Sequence, residues 1–172
     1  SGFGLEFARL GATRGYNIVM ADVEQGALDA AAAEIAATGV QVLAQRVDVS
    51  RHDQIEALAA ATKARFGAPH WVFNNAGVGS GGLIWENSLK DWDWVLGVNL
   101  MGVVYGVKAF TPMMLERARA EPDYRGCIIN TASMAGMLNA PTMGVYNVSK
   151  HAVVSLTETL YQDLKLVSDQ GT

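Results

Sequence analysis

Short apolar runs alternate with helical stretches along most of this chain, and that alternation restricts its fold more than any other feature. The runs are rich in β-branched residues, lack polar alternation and end in small or polar residues, which is typical of strands covered on both faces. We predict strands over 16–21, 40–47, 70–73 and 126–131. This order predicts a Rossmann-type, doubly wound parallel sheet in a three-layer α/β/α fold.

The stretches between the strands carry helix boundaries of their own. Two of them stop at Gly39 and Gly67, because glycine favours the end of a helix. A long later segment contains Pro112, near which we expect a bend. In the same segment Trp92 and Trp94 lie at helical spacing beside aliphatic residues, so we favour core packing over a substrate pocket. We therefore predict helices over 5–10, 24–37, 54–66, 88–119 and 146–167.

A single domain with a sizeable core is expected, since half of the 172 residues are hydrophobic and only 17% are charged. The net charge of −4 and the scattered basic residues argue against nucleic acid or an anionic membrane as a partner. Apolar stretches are interrupted before the roughly 20 residues of a membrane span, and the first residues form no signal peptide. We expect a soluble, cytoplasmic protein in which Cys127 is a buried thiol.

The start of the chain combines two glycines with a later acid. Gly2 and Gly4 precede a predicted helix, and Asp22 ends the following strand, 18 residues after Gly4. In a dinucleotide site such glycines let the backbone approach the pyrophosphate, while the acid accepts hydrogen bonds from the adenosine ribose. A plain turn for the glycines and a helix N-terminal acid for Asp22 are the alternatives.

Asp22 also favours NAD over NADP as the cofactor. A carboxylate within about 4 Å of a 2′-phosphate costs several kcal/mol at an effective dielectric near 20. No arginine adjoins Asp22, which is followed by Val23, and Ser1 rather than a basic residue precedes Gly2.

Further motifs follow in order. They are Val47-Asp48-Val49 at the second strand, Asn74-Asn75-Ala76-Gly77 after the third, and then Asn99, Ser133, Tyr146 and Lys150. Tyr146 follows Ser133 by 13 residues and precedes Lys150 by 4. Over essentially its whole length the chain thereby resembles the single-domain branch of the short-chain dehydrogenase/reductase family.

A doubly wound sheet of this type has a strand before the glycine turn and further strands after the last helix. We therefore expect residues 1–172 to form a single dinucleotide-binding catalytic domain that lacks its first strand and its C-terminal strands. Such a chain would fold poorly by itself.

The spacing of Tyr146 and Lys150 has a chemical meaning beyond the resemblance. Residues four apart share one face of a helix, so the ammonium can lie near the phenol. A tyrosine that works as an acid or base near neutral pH needs its pKa lowered by roughly two to three units. One charge at about 4–5 Å supplies roughly 3–4 kcal/mol at a dielectric near 20, which is enough.

The resemblance implies a role for each of the four polar residues. Tyr146 exchanges a proton with the substrate oxygen while hydride moves between the substrate carbon and the nicotinamide, and no metal is needed. Ser133 hydrogen-bonds the same oxygen, although a turn hydroxyl is its alternative interpretation. Lys150 also binds the nicotinamide ribose, and Asn99 holds a water that links Lys150 to solvent.

The resemblance also implies two larger sets of residues. Those that bind the cofactor are Gly2, Gly4, Asp22, Asp48, Val49, Asn75, Ala76, Gly77, Tyr146 and Lys150. The segment between Ser133 and Tyr146 is expected to form an apolar substrate wall, made of Met134, Met137, Leu138 and Met143.

We accordingly predict an NAD-dependent oxidoreductase that acts on a hydrophobic secondary alcohol or its ketone. The first alternative is a catalytically idle relative that binds the dinucleotide as a sensor or scaffold. The second is a nucleotide-sugar epimerase or dehydratase, which the Asn-Asn-Ala-Gly turn disfavours. The apolar faces of 88–119 and 146–167 are candidate interfaces of a homodimer or homotetramer.

Overall fold

The structure, a computed structural model, describes residues 2–167 of the chain. Every predicted strand is present, and so are the predicted helices except that the one predicted over 88–119 is divided; the other ends differ by a few residues. The helices are α1 (Gly2–Thr13), α2 (Gln25–Ala36), α3 (His52–Phe66), α4 (Leu89–Leu96), α5 (Gly102–Ala120) and α6 (Gly144–Val167). The strands are β1 (Ile18–Asp22), β2 (Val42–Arg46), β3 (Trp71–Asn74) and β4 (Cys127–Asn130).

The strands pair in two separate sheets. β1 runs parallel to β2, with Ile18 opposite Val42 at one end and Asp22 opposite Arg46 at the other. β3 pairs with β4 in the second sheet, and no strand within residues 2–167 joins the two. The apolar runs thus predicted the strands correctly. They did not predict that the strands form two separate sheets.

Two compact units are formed by the chain. Unit 1 comprises the residues up to Asn75 together with Tyr105–Ile129, and unit 2 comprises Ala76–Val104 together with the residues from Asn130 onwards. Unit 1 contains both β1–β2 and nearly all of β3–β4, so it holds Asp22, which ends β1, and Asp48, which follows β2. Unit 2 contains Asn99, Ser133, Tyr146 and Lys150.

The core of unit 1 is built from apolar residues on α3, β3 and α5 and in the segments that follow β2 and α5. Its fully buried members include Val47, at 1% exposure, and its largest side chains are Phe110 and Tyr124. A second cluster places α1 and α2 against β1 through Ala8, Ala12 and Ile35. Burying these apolar faces is the main force that holds the strands in place.

Unit 2 is mainly helical, and the long segment predicted over 88–119 is interrupted there. A capping box between Ser88 and Asp91 begins α4, and the residues Gly97–Met101 then form a π-helical turn before α5. Pro112, where a bend was expected, lies inside α5. The irregular turn surrounds Asn99, whose side chain bonds outside its own helix, and π-turns of this kind are frequent at functional sites.

Two burial predictions are wrong. Cys127 is exposed because it is the first residue of β4, outside the part of the strand that the core covers. Trp94 is 52% exposed, so it contributes little to the packing that its helical spacing predicted.

One helical stretch of the described chain, Leu89–Ala120, is long and apolar enough to cross a membrane by length and composition. Its most apolar window has a mean hydropathy of 1.3, and 33% of that window is buried. The core helix of a water-soluble protein has the same character, so this stretch by itself is weak evidence for a membrane span.

Candidate active site

Tyr146 and Lys150 lie on one face of the first turns of α6, as their spacing predicted. The Lys150 Nζ is 5.6 Å from the centroid of the Tyr146 ring, and only 3% of Lys150 is exposed. Gly79, in the loop after β3, also packs on this ring, because a Cβ there would lie 3.7 Å from the Tyr146 Cδ2. The pair therefore sits in a partly desolvated environment, where a charge acts strongly on its neighbour.

One hydrogen bond and its burial define the environment of the Lys150 side chain. Its Nζ donates a hydrogen bond of 2.8 Å to the carbonyl of Thr131, just after β4. Burial lowers the pKa of Lys150 below its usual range, because desolvation penalises the ammonium. Gly136 permits the close approach of its turn to the backbone of α6, since a Cβ there would lie 2.8 Å from the Lys150 carbonyl oxygen.

Ser133 begins a short 3-10 turn, Met134–Gly136. Its Oγ accepts a hydrogen bond of 3.2 Å from the backbone N–H of Ala135. This is the turn hydroxyl that the alternative interpretation predicted. A hydroxyl that accepts one bond still carries a hydrogen to donate, so the turn contact and a contact with a substrate oxygen are compatible.

Asn99 is fully buried and its side chain is held by the protein. Its Oδ1 accepts from the backbone N–H of Val78 at 2.8 Å, and its Nδ2 donates to the carbonyl of Val78 at 2.8 Å and to the Ser149 Oγ at 3.0 Å. The amide thus holds the loop after Gly77 against the helix. Both N–H donors of the amide are committed to these bonds, so a water held by this side chain would have to use its Oδ1.

The four residues predicted as a substrate wall are all exposed and lie in unit 2. Met134 and Met137 are each 76% exposed, Leu138 is 63% exposed and Met143 is 37% exposed. A large exposed apolar patch is a common mark of a binding surface.

Ile84 lies beside that wall. It was not predicted from the sequence. Gly82 pairs with Met143 in an isolated parallel bridge, which brings the loop after β3 beside the wall. A Cβ on Gly144 would lie 2.7 Å from the Ile84 Cγ1, so the absence of a side chain there admits Ile84. Thr142, the residue before Met143, has a φ of 61°, a conformation that β-branched residues rarely adopt.

The glycines at the start of unit 1 lie inside the first turn of α1. Gly2 has a positive φ of 61°, which glycine adopts without strain. A Cβ on Gly4 would lie 3.2 Å from the Nδ2 of Asn75, so the helix approaches the Asn-Asn-Ala-Gly turn closely. Asn75 is the last residue of unit 1, whereas Ala76 and Gly77 are exposed residues of unit 2.

Asp22 ends β1, and its Oδ1 accepts a hydrogen bond of 3.0 Å from the N–H of Glu24, just before α2. That N–H precedes the first residue of α2, so the bond is local to the connection between β1 and α2 and does not cap the helix. The second carboxylate oxygen of Asp22 does not take part in that bond. Both a local and a ligand-binding role are thus chemically open to Asp22.

Asp48 lines a cavity of about 330 Å³ together with Val23, Arg46 and Gln54. The N–H and hydroxyl of Ser50 donate to the Asp48 Oδ1 at 2.9 and 2.7 Å, and the Asp48 N–H donates to the Gln54 Oε1 at 2.7 Å. Val49, the next residue, packs against the core of unit 1. The carboxylate is thus oriented beside a cavity that a ligand can enter.

Sequence reasoning also missed Ser149 and a second tyrosine–lysine pair. Ser149 is fully buried between Asn99 and Tyr146, and its position directly before Lys150 was the available clue. Tyr161 and Lys165 repeat the spacing of Tyr146 and Lys150 on the same helix, with the Lys165 Nζ 4.3 Å from the Tyr161 ring centroid. Tyr161 is exposed, so spacing alone does not identify the reactive pair.

Comparisons with known proteins agree on one family. A sequence model of the short chain dehydrogenases matches residues 1–167. A solved short chain dehydrogenase/reductase from Burkholderia phymatum, in complex with NAD, is 49% identical with a TM-score of 0.90, over 97% of this chain and 59% of that one. An alcohol dehydrogenase from Thermococcus sibiricus, complexed with 5-hydroxy-NADP, is 26% identical with a TM-score of 0.84, over 94% and 66%.

A curated relative, the CLA biosynthesis dehydrogenase/reductase of Lactiplantibacillus plantarum, is 34% identical over 164 residues, which are 95% of this chain and 56% of the relative. The chain thus spans somewhat more than half the length of such relatives. These likenesses confirm the Rossmann-type α/β fold predicted from the alternating strands and helices.

Proposed function

Because the chain belongs to the short-chain dehydrogenase family, we propose that it is an oxidoreductase that exchanges a hydride between NAD(H) and a hydrophobic secondary alcohol or its ketone. The observation that carries the proposal is the buried Lys150 ammonium 5.6 Å from the Tyr146 ring. A structural lysine has little reason to be buried, because desolvating its charge is costly.

Two features of unit 1 fit a nicotinamide dinucleotide. Gly2 and Gly4 carry no side chains of their own in the first turn of α1, so a phosphate can approach the backbone there. The cavity beside Asp48 places an oriented carboxylate where an adenine amino group could donate to it. Such a cofactor supplies hydride acceptance and donation. The residues proposed to hold it are Gly2, Gly4, Asp22, Asp48, Val49, Asn75, Ala76, Gly77, Tyr146 and Lys150.

Tyr146 is the proposed acid and base. Its phenol gives a proton to the substrate oxygen during reduction and takes that proton back during oxidation. Lys150 stabilises the phenolate through its charge, and the Thr131 carbonyl holds the ammonium in place.

Ser133 and Asn99 support this proton transfer. The Ser133 hydroxyl, positioned by Ala135, donates to the substrate oxygen and stabilises its developing negative charge. Asn99 fixes the loop that contains Val78 and the helix that carries Tyr146. We assign Asn99 chiefly this positioning role, together with the water contact that the family resemblance implies.

The exposed apolar wall selects the substrate. Met134, Met137, Leu138 and Met143 offer flexible or branched side chains that bind a hydrophobic group by excluding water. A hydrophobic alcohol or ketone therefore fits this surface better than a charged sugar does.

Replacement of Tyr146 by phenylalanine tests the proposal. The purified protein with Tyr146→Phe should lose at least about a hundredfold in turnover of hydrophobic ketones, because the acid/base is gone. Binding of NADH should persist, since the ring remains. Tyr161→Phe is the matched control, because it removes the same hydroxyl from the exposed pair on the same helix. Near-normal turnover by Tyr146→Phe would refute the assignment.

The same assay separates an enzyme from a sensor. Binding of NADH without its oxidation by any ketone of a hydrophobic panel would favour the idle, dinucleotide-binding alternative. For the whole protein we further propose one dinucleotide-binding catalytic domain, a cytoplasmic location and assembly as a homodimer or homotetramer. These follow from the family resemblance that the motifs carry.

A further inference from the structure

An arginine lies opposite Asp22 at the carboxyl end of the β1–β2 sheet. In the parallel pairing of these strands Asp22 is in register with Arg46, although 24 positions separate them in the chain. Paired strands lie about 4.8 Å apart, and residues in register point to the same face of the sheet. The positive and negative side chains therefore share one face.

A backbone contact orients the Arg46 guanidinium. Its Nε donates a hydrogen bond of 2.9 Å to the carbonyl of Val23, the residue directly after Asp22. The guanidinium is thereby held beside the end of β1, while its two Nη groups carry four further N–H donors. An arginine held in this way can bind a phosphate through two parallel hydrogen bonds.

Arg46 also lines the cavity of about 330 Å³ that contains Asp48 and Gln54. The cavity therefore has a cation on one side and an oriented carboxylate on another. A ligand that carries both a hydrogen-bond donor and a negative group matches this arrangement, and a 2′-phosphorylated adenosine has both.

We propose that Arg46 determines how strongly this chain discriminates between NAD and NADP. Its guanidinium binds the adenosine 2′-phosphate and offsets the repulsion from Asp22, so that NAD is preferred but NADP is accepted. The inference rests on the proposed function, because it concerns the cofactor of that same site.

Calorimetric titration of the purified protein with NAD and with NADP tests this role without relying on turnover. With Arg46→Leu, we expect the Kd for NADP to rise about tenfold, which corresponds to about 1.4 kcal/mol. The Kd for NAD should change less than about threefold, because NAD carries no 2′-phosphate. Arg46→Gln, which can still donate to the Val23 carbonyl, should show the same selective loss and serves if the leucine variant fails to fold.

Arg14→Leu is the matched control, since it removes one exposed positive charge at the far end of α1. It should leave the ratio of the two Kd values unchanged. An equal shift in this control, or an unchanged ratio in both Arg46 variants, would overturn the role of Arg46 even if NAD binds well. Failure of the unsubstituted protein to bind NAD would instead overturn the proposed function and, with it, this inference.

Discussion

The side-chain amide of Asn99 donates a hydrogen bond of 3.0 Å to the hydroxyl of Ser149, and that hydroxyl donates in turn to the carbonyl of Tyr146 at 2.7 Å. Asn99 and Ser149 are both fully buried, so neither can replace the bond with water. This connection joins the π-helical turn to the first turn of α6. The backbone of Tyr146 is therefore linked to a residue 47 positions earlier in the chain.

Ser149→Ala should weaken both the fold and the chemistry. Loss of the hydroxyl leaves a buried amide donor without its acceptor, which costs about 1–3 kcal/mol of unfolding free energy. We expect kcat to fall, KM to stay within about twofold and the pH profile of kcat to shift, because Tyr146 is less well positioned. Thermal unfolding and pH-dependent kinetics measure these effects.

Ser155→Ala is the control for that experiment, since Ser155 is an exposed serine of the same helix. It should change neither stability nor turnover. If Ser149→Ala changed stability and kcat no more than Ser155→Ala does, the connection from Asn99 to Tyr146 would not contribute to catalysis.

The pH dependence of stability should reveal the buried Lys150. Burial lowers its pKa in the folded chain, whereas in the unfolded chain it titrates near pH 10.4. Between these two values the unfolded chain binds a proton that the folded chain has released, so the Lys150 contribution to stability rises with pH. Chemical denaturation of the native protein and of Lys150→Met at pH 7 and pH 10 measures this difference.

The expected result is that the native protein gains stability relative to Lys150→Met as the pH rises. Lys165→Met, on the exposed surface of α6, should show no such relative change. A constant difference between the native protein and Lys150→Met across this range would contradict the lowered pKa.

Met137→Ser should weaken the binding of hydrophobic substrates without loss of stability. Met137 is 76% exposed, so the fold gains little from its side chain, whereas a bound apolar group would cover it. We expect KM for a hydrophobic ketone to rise about fivefold to tenfold, since each buried methylene contributes about 0.8 kcal/mol. Leu166→Ser, at the 84% exposed end of α6, should leave KM unchanged. Equal KM values for the two variants would argue against the proposed wall.

Gly106→Ala should destabilise unit 1. A Cβ at this position of α5 would lie 2.0 Å from the Oδ1 of Asn74, so the Asn74 side chain at the end of β3 has to shift. Overpacking of this kind costs about 1–3 kcal/mol. Gly26→Ala in α2 is the control, because a Cβ added there would have no atom within 4 Å. This substitution should stabilise the helix by up to about 1 kcal/mol. Equal melting temperatures for the two variants would contradict the close approach.

The positions of strands and helices were predictable because they depend on local periodicity and on glycine at helix ends. The π-helical turn was not predictable. The Asn99 that it surrounds bonds to Val78 and Ser149, and both of these lie outside its own helix. The exposure of Cys127 was missed for a similar reason. The apolar residues next to Cys127 in the chain do not indicate which end of the strand is covered by the core.

By itself the sequence determined the fold class, the family and the identity of the candidate residues, because these depend on residue type and spacing. Tertiary structure decided which of two equally spaced tyrosine–lysine pairs is buried, since desolvation depends on what packs against a helix. It also placed Arg46 opposite Asp22, although no basic residue adjoins Asp22 in the chain. Strand register brings distant charges together, and register follows from the burial of whole sheet faces rather than from either residue alone.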